Sequence, residues 1–262
     1  MPRFAANLSM MFPEIPFLER FAAARKAGFE GVEFLFPYTF DKAEILQRRN
    51  EAGLAQILFN TPPGNWEAGD RGFAALPGKR DMFRKTFEQA LDYAVALKNP
   101  RIHVMAGIPA VGDDLSACEA SFVENLRWAS GLAKAEDITL LIEPLNQVDM
   151  PGYFLKSSDQ AVAILSQVAA SNVKLQYDLY HQQMSRGAVA ETLRRHFPII
   201  GHIQVAGVPG RNEPDAAQEL NTPYLFGLID ELGYDGWIGC EYRPRAGTEA
   251  GLTWLKPYGI GA

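Results

Sequence analysis

Four oxygen-bearing side chains stand at the ends of four successive apolar runs in the second half of the chain. Glu143 falls in LLIEPLN, Asp178 in LQYDLYH, Gln204 in HIQVAG and Glu241 in GCEYRP. If these runs are neighbouring strands of one parallel sheet, the four side chains meet at one rim. Three carboxylates brought that close repel strongly unless a cation neutralises them. Carboxylate and amide oxygens suit a hard divalent ion, Mg2+ or Mn2+, better than a thiolate-loving one. The plainer alternative, in which each carboxylate caps a helix or pairs with an arginine such as Arg243 or Arg211, serves any one of them but accounts less well for all four donors.

Other polar residues gather near the same rim. His181 lies three residues past Asp178, where it could reach a bound ligand or make an ordinary structural hydrogen bond. By strand alternation His202 and Gln204 point the same way, which makes His202 a candidate buried partner behind the ligands. His103 is a weaker candidate inside the fourth run, and His196, ending a helix, is expected at the surface. In AGVPGRNEPD, Arg211 and Glu213 come within reach of the rim. A guanidinium there would grip a substrate carboxylate, or would pair at the surface with Glu213 or Asp215. Asn7, Glu33 and Asn60 fall on the rims or interiors of the first three runs. Phe34, Phe36, Phe59 and Trp66 would either wall a small pocket or belong to the core.

The elements that must position these residues alternate along the chain. Eight short apolar runs, Arg3–Leu8, Gly31–Phe36, Leu54–Asn60, Arg101–Met105, Ile138–Glu143, Val173–Asp178, Gly201–Val205 and Trp237–Glu241, are separated by amphipathic stretches. Helix punctuation lies between them: Pro16 in a first turn with Gly28 beyond the last, and Asp41 as N-cap with Glu44 three residues on and Gly53 as the stop. Helices are also expected over Arg80–Leu97, Ser116–Ala135, Ser158–Val168, Ala188–His196 and Pro223–Leu232. The pattern predicts an α/β fold, one (β/α)8 TIM barrel spanning residues 1–262, with a doubly wound open sheet as the alternative. The long irregular segment Thr61–Gly78 is either a lid or a subunit contact.

Composition narrows the function. The 262 residues carry 25 Lys+Arg against 31 Asp+Glu, a net charge of −6, and no basic cluster longer than Arg48-Arg49 or Arg194-Arg195, so nucleic acid is not an expected partner. No apolar run is long enough to span a membrane, and MPRFAANLSMMF reads as a first strand rather than a signal peptide. Cys118 and Cys240 form no CxxC pair, which fits a cytoplasmic protein. Neither GxGxxG after the first run nor GxxxxGK[ST] occurs, so no nucleotide cofactor is indicated, and no GxSxG elbow is present.

The segments FAANLSMMF, GVEFLFPY, FNTPPGNWEAGDRG, LLIEPLN, LQYDLYHQQ, GHIQVAGVPGRNEP and GWIGCEYRP resemble those of the hydroxypyruvate isomerase family, with the 2-oxo-tetronate isomerases as close relatives, among the xylose-isomerase-like barrels. The resemblance runs from Arg3 to the Thr248–Trp254 stretch. It implies a divalent-metal site formed by Glu143, Asp178, Gln204 and Glu241, with Glu143 and Glu241 as the catalytic pair on either side of an enediolate. It also implies substrate contacts at His181 and Arg211. Related sugar epimerases carry His where Gln204 stands. The implied reaction is the isomerisation of hydroxypyruvate to tartronate semialdehyde, and LLIEPLN and LQYDLYHQQ look more like this branch. The alternative substrate is 2-oxo-tetronate. Two rivals of other classes are a non-catalytic sugar-acid binding protein and a barrel nuclease acting on abasic DNA. A homo-oligomer is compatible with the pattern, although no segment proves an interface.

Overall fold

The computed structural model describes residues 1–261. Eight parallel strands close into a barrel in sequence order, with the last pairing back onto the first. They are β1 Arg3–Asn7, β2 Gly31–Glu33, β3 Ala55–Asn60, β4 Arg101–His103, β5 Thr139–Ile142, β6 Val173–Asp178, β7 Ile200–Val205 and β8 Trp237–Cys240. The helices are α1 Arg20–Lys26, α2 Lys42–Ala52, α3 Arg80–Leu97, α4 Leu115–Ala135, α5 Ser158–Val168, α6 Leu179–Ser185, α7 Val189–His196, α8 Thr222–Glu231 and α9 Thr248–Gly251. The expected (β/α)8 barrel is what the chain adopts. No helix among the described residues is long and apolar enough to cross a membrane.

Local chemistry sets the helix ends. The Asp41 carboxylate accepts the N–H groups of Ala43 at 2.8 Å and Glu44 at 3.2 Å, and Gly53 closes α2 at a left-handed φ of 65°. Several strands stop sooner than their apolar runs suggest. β5 ends at Ile142 and β8 at Cys240, so Glu143 and Glu241 each sit one residue beyond the ladder. Between β6 and β7 there are two helices, not the one expected. α6 begins without a loop because Asp178, the last strand residue, is also its cap and accepts the Tyr180 N–H at 2.8 Å. His196 corrects another expectation: it is buried, because it completes the inward face of α7 with Val189, Thr192 and Leu193.

Two cores result. Inside the barrel, toward the strand N-termini, Ala5, Ile57, Leu58 and Leu141 pack with Trp237. Between sheet and helices, Phe34 and Phe59 stack at 6.0 Å among Phe17, Phe21 and Tyr38. These two rings are therefore core, placed there by alternation with the inward Glu33, and only Phe36 and Trp66 remain as a pair at the rim, 5.6 Å apart. Segment 61–78 is tied down: Gly72 bridges Ala106, the Ala75 N–H donates to the Ala106 carbonyl at 2.7 Å, and Asn125 Nδ2 donates to the Ala74 carbonyl at 2.8 Å. A side chain at Gly72 would put its Cβ 2.3 Å from the Met105 carbonyl oxygen, at a φ of 95°.

Above the apolar floor the interior turns polar, and one glycine makes the room. A Cβ on Gly239 of β8 would lie 2.3 Å from Glu33 Oε2 and 2.4 Å from Oε1. Alanine in place of a strand glycine ordinarily stabilises by about 0.4–1 kcal/mol through the unfolded chain. Here overpacking wins, and Gly239→Ala should cost about 1–3 kcal/mol, lowering the melting midpoint by several degrees. A midpoint equal to or above that of the parent would show that Glu33 does not fill this space.

Candidate active site

The closed sheet brings β5, β6 and β8 to one rim, and with them Glu143, Asp178 and Glu241. Ligand atoms from these three residues and His181 all lie within 4.8 Å of one another, and all four residues are buried. Glu143 Oε1 and Asp178 Oδ2 are out of contact with solvent and have no hydrogen-bond partner. Buried acceptors of this kind are rare unless something occupies the space between them.

Burial raises the carboxyl pKa values. The Glu143 group is pushed well above the usual range by burial, then by the charges of Glu241 and Asp178. Burial lifts Glu241 to about 7 against the pull of Arg211, and Asp178 to about 6 against Arg211 and the N–H groups of Tyr180 and His181. Arg211 supplies the positive charge. Its Nη2 lies 2.5 Å from Glu241 Oε2 and 3.8 Å from Asp178 Oδ2, and its Nη1 lies 3.9 Å from Asp149. Burial works against that charge, yet Glu241, Asp178 and Glu143 together hold the guanidinium above its ordinary pKa.

Arg211 reaches this position through a left-handed backbone, φ 54°, which costs a non-glycine residue about 1–3 kcal/mol. Its carbonyl accepts the Arg243 N–H at 2.8 Å, which holds the turn. The surface pairing weighed from the sequence belongs to Arg245 instead, 2.7 Å from Asp215 and 3.5 Å from Glu213.

The tautomer of His181 follows from its neighbours. The Asn146 backbone N–H, which can only donate, is 3.2 Å from His181 Nδ1, and Asn146 Nδ2 is 2.7 Å from the same atom. Nδ1 therefore accepts, so the proton of the neutral ring sits on Nε2, 3.7 Å from Asp178 Oδ2. Burial, then Arg211 and His103, keep the imidazole pKa well below its usual value. His181 thus presents a hydrogen-bond donor to the site rather than a lone pair, which suits a substrate oxygen better than a cation. His103 also faces the cluster, 3.7 Å from Glu143; burial lowers its pKa to about 3, and both ring nitrogens lack partners.

Gln204 lies beside Asp178 in the β6–β7 ladder, with its Nε2 on Glu33 and its Oε1 accepting from Gln176 at 2.6 Å. His202 touches Glu33, not the clustered carboxylates. Sequence reasoning missed Asn146, three residues past Glu143, and placed Glu33 only among the rim or interior residues of the first three runs, although it alternates inward with Gly31.

A xylose isomerase-like TIM barrel family model matches residues 21–258. A 2-oxo-tetronate isomerase of Cupriavidus necator is 58% identical over 98% of this chain and 99% of its own length. The hydroxypyruvate isomerase of Escherichia coli is 44% identical over 98% and 100%. This chain belongs to the hydroxypyruvate and 2-oxo-tetronate isomerase family. It is an isomerase. A crystal structure titled AP endonuclease, family 2, from Brucella melitensis superposes on this family member with a TM-score of 0.96 and 50% identity, covering 98% of this chain and 99% of that one. The 3-keto-D-glucoside 4-epimerase of Escherichia coli, 20% identical at a TM-score of 0.80 over 98% of this chain and 99% of that one, shares the fold.

The carboxyl pKa values fix the sign of a pH effect. Below about pH 6 to 7, Asp178 and Glu241 carry protons that a cation must displace, and above that range they do not. Mn2+ affinity, measured by calorimetry on stripped protein, should rise about ten-fold or more between pH 5.5 and 8, with protons released on binding. A flat affinity across that range would rule out these carboxylates as ligands.

Proposed function

We propose that this isomerase interconverts 2-oxo-tetronate and 3-oxo-tetronate by proton transfer through a cis-enediolate, with Glu143 and Glu241 as the proton-transfer groups. The observation that carries the reading is the buried set of three carboxyl groups, within 4.8 Å of one another, with raised pKa values. A carboxyl that titrates near neutrality can both take and return a proton at cellular pH. One glutamate removes the C3 proton, leaving its electron pair in the new C2–C3 double bond as the C2 carbonyl becomes an enediolate oxygen. A proton is then delivered to C2 and the C3 oxygen gives up its own, which leaves the carbonyl at C3.

The residues fit a divalent cation, Mg2+ or Mn2+, because Glu143 Oε1 and Asp178 Oδ2 are buried oxygens without partners. Glu143, Asp178, Gln204 and Glu241 would hold it. When bound, such an ion polarises the substrate carbonyl and acidifies the neighbouring C–H bond. His181 Nε2–H and the Arg211 guanidinium serve the substrate, the first as a neutral donor to an oxygen and the second as the counter-charge nearest its carboxylate. Burial of Glu143, Asp178, His181 and Glu241 sets the enediolate apart from bulk solvent.

The choice of four carbons follows the relative at 58% identity, reversing the order of substrates that the sequence segments suggested. Hydroxypyruvate, which has H in place of CH2OH at C3, is the second reading; it is favoured by LLIEPLN and LQYDLYHQQ and by the hydroxypyruvate isomerase at 44%. A nuclease role suits neither the net charge of −6 nor the absence of a basic run.

The deciding assay offers both acids in D2O to EDTA-stripped protein with Mn2+ or Mg2+ added back. Conversion of 2-oxo-tetronate with solvent deuterium at the newly protonated carbon is expected; turnover of hydroxypyruvate alone would transfer the assignment to the second reading. Glu143→Gln and Glu241→Gln should each lower kcat by about 100-fold or more while the fold persists. Near-normal turnover in either variant would remove that residue from the mechanism.

A further inference from the structure

Glu33 lies wholly inside the barrel and takes no part in the proton transfer, yet three side chains converge on it. Asn7 Nδ2 donates to its Oε1 at 3.1 Å, Gln204 Nε2 donates to the same oxygen at 2.7 Å, and His202 Nε2 lies 2.7 Å from Oε2. The two ends of an amide are nearly identical in size, so a neighbour must decide which end faces where.

Here a backbone group decides. The Ser9 N–H can only donate, and it donates to Asn7 Oδ1 at 3.1 Å. The Asn7 NH2 must therefore face the glutamates, 3.1 Å from Glu33 and 3.4 Å from Glu241. Glu33 Oε1 is thereby an acceptor, and the Gln204 end that touches it must be the NH2. That turns Gln204 Oε1 away from Glu33 and toward β6, where it accepts from Gln176 Nε2 at 2.6 Å. A glutamine without such an anchor could present either end to its surroundings. A cation is attracted by the oxygen and repelled by the NH2.

We propose that Glu33 is a positioning residue for the metal site: it fixes the Gln204 amide so that oxygen, not nitrogen, is offered on the side of β6 and Asp178. The inference rests on the reading of Gln204 as a metal ligand. It assigns a purpose to the space left by Gly239, since a side chain there would displace the anchoring carboxylate.

The test exchanges charge across the Glu33–Gln204 contact and reads Mn2+ affinity by calorimetry on stripped full-length protein, with a thermal melt of each variant. A carboxylate added to a cation site ordinarily tightens it. With Glu33 in place, Gln204→Glu should instead weaken Mn2+ binding about ten-fold or more, because the new carboxylate faces an old one across the contact. Adding Glu33→Gln removes the opposing charge at the expense of the Asn7 contact, because Asn7 and Gln204 share one Glu33 oxygen, and the double variant should recover most of the Mn2+ affinity that Gln204→Glu loses.

Parent-like or tighter binding by Gln204→Glu alone overturns the proposal. So does a double variant that melts normally but still binds ten-fold more weakly than the parent, the result expected if the contact only supports the fold. Should Gln204→Glu fail to fold, the double variant decides by itself, and its failure to fold also counts against the proposal. Gln204→Ala tests the underlying reading separately: unchanged Mn2+ affinity there removes Gln204 from the ligand set, and a parent protein that takes up no Mn2+ removes the metal site itself.

Discussion

Negative charge shut away from water sets the terms for the whole rim. Two unit charges 4.8 Å apart in a partly buried setting repel by on the order of 3 kcal/mol, and Glu143, Asp178 and Glu241 form three such pairs. The chain answers part of this repulsion with Arg211, held in an unfavourable backbone conformation so that its guanidinium can lie between Glu241 and Asp178. Burial, ahead of the repulsion itself, lifts the carboxyl pKa values toward neutrality, and the protons so held answer another part. A divalent ion would supply the remaining counter-charge, and the partnerless oxygens are placed where it would be needed. The same imbalance that makes the site costly to build makes its carboxyl groups able to exchange protons at the pH of a cell.

Within this crowded interior, orientation is handed down from the backbone. Peptide N–H groups can only donate, so each fixes the sense of the side chain it meets. Ser9 fixes Asn7, and through Asn7 and Glu33 the amide of Gln204; Asn146 fixes His181. A barrel is well suited to this, because its strands and their first turns are held by the ladder and by the helices packed outside.

The architecture and the clustered carboxylates were legible because a parallel barrel turns strand order into spatial order. Glu143, Asp178 and Glu241 are far apart in the chain, but each ends an apolar run, and closure alone brings them together. What stayed hidden depends on contacts that no local pattern encodes. The Glu33–His202 pair spans 169 residues, and only the curvature of the closed sheet joins it. Phe34 and Phe59 could have lined a pocket or filled a core, since period-two alternation says which residues share a face but not which face is inward. His196 looked exposed as a polar residue at a helix end, but the inward stripe of α7 runs through it. α6 escaped notice because LYHQQMS carries no separate cap signal, its cap being a residue already claimed by the strand.

That shared residue has a further implication. Asp178 uses one oxygen, Oδ1, to start α6 and leaves the other, Oδ2, to face the cluster. Asparagine would keep the helix start and abandon the charge, while glutamate would keep the charge and carry it a methylene too far to meet the Tyr180 N–H. No other natural side chain is short enough and anionic enough to do both. Among the rim residues this position thus offers laboratory evolution the least freedom: a search that retunes the pocket for a new sugar acid has to leave residue 178 alone and work through its neighbours.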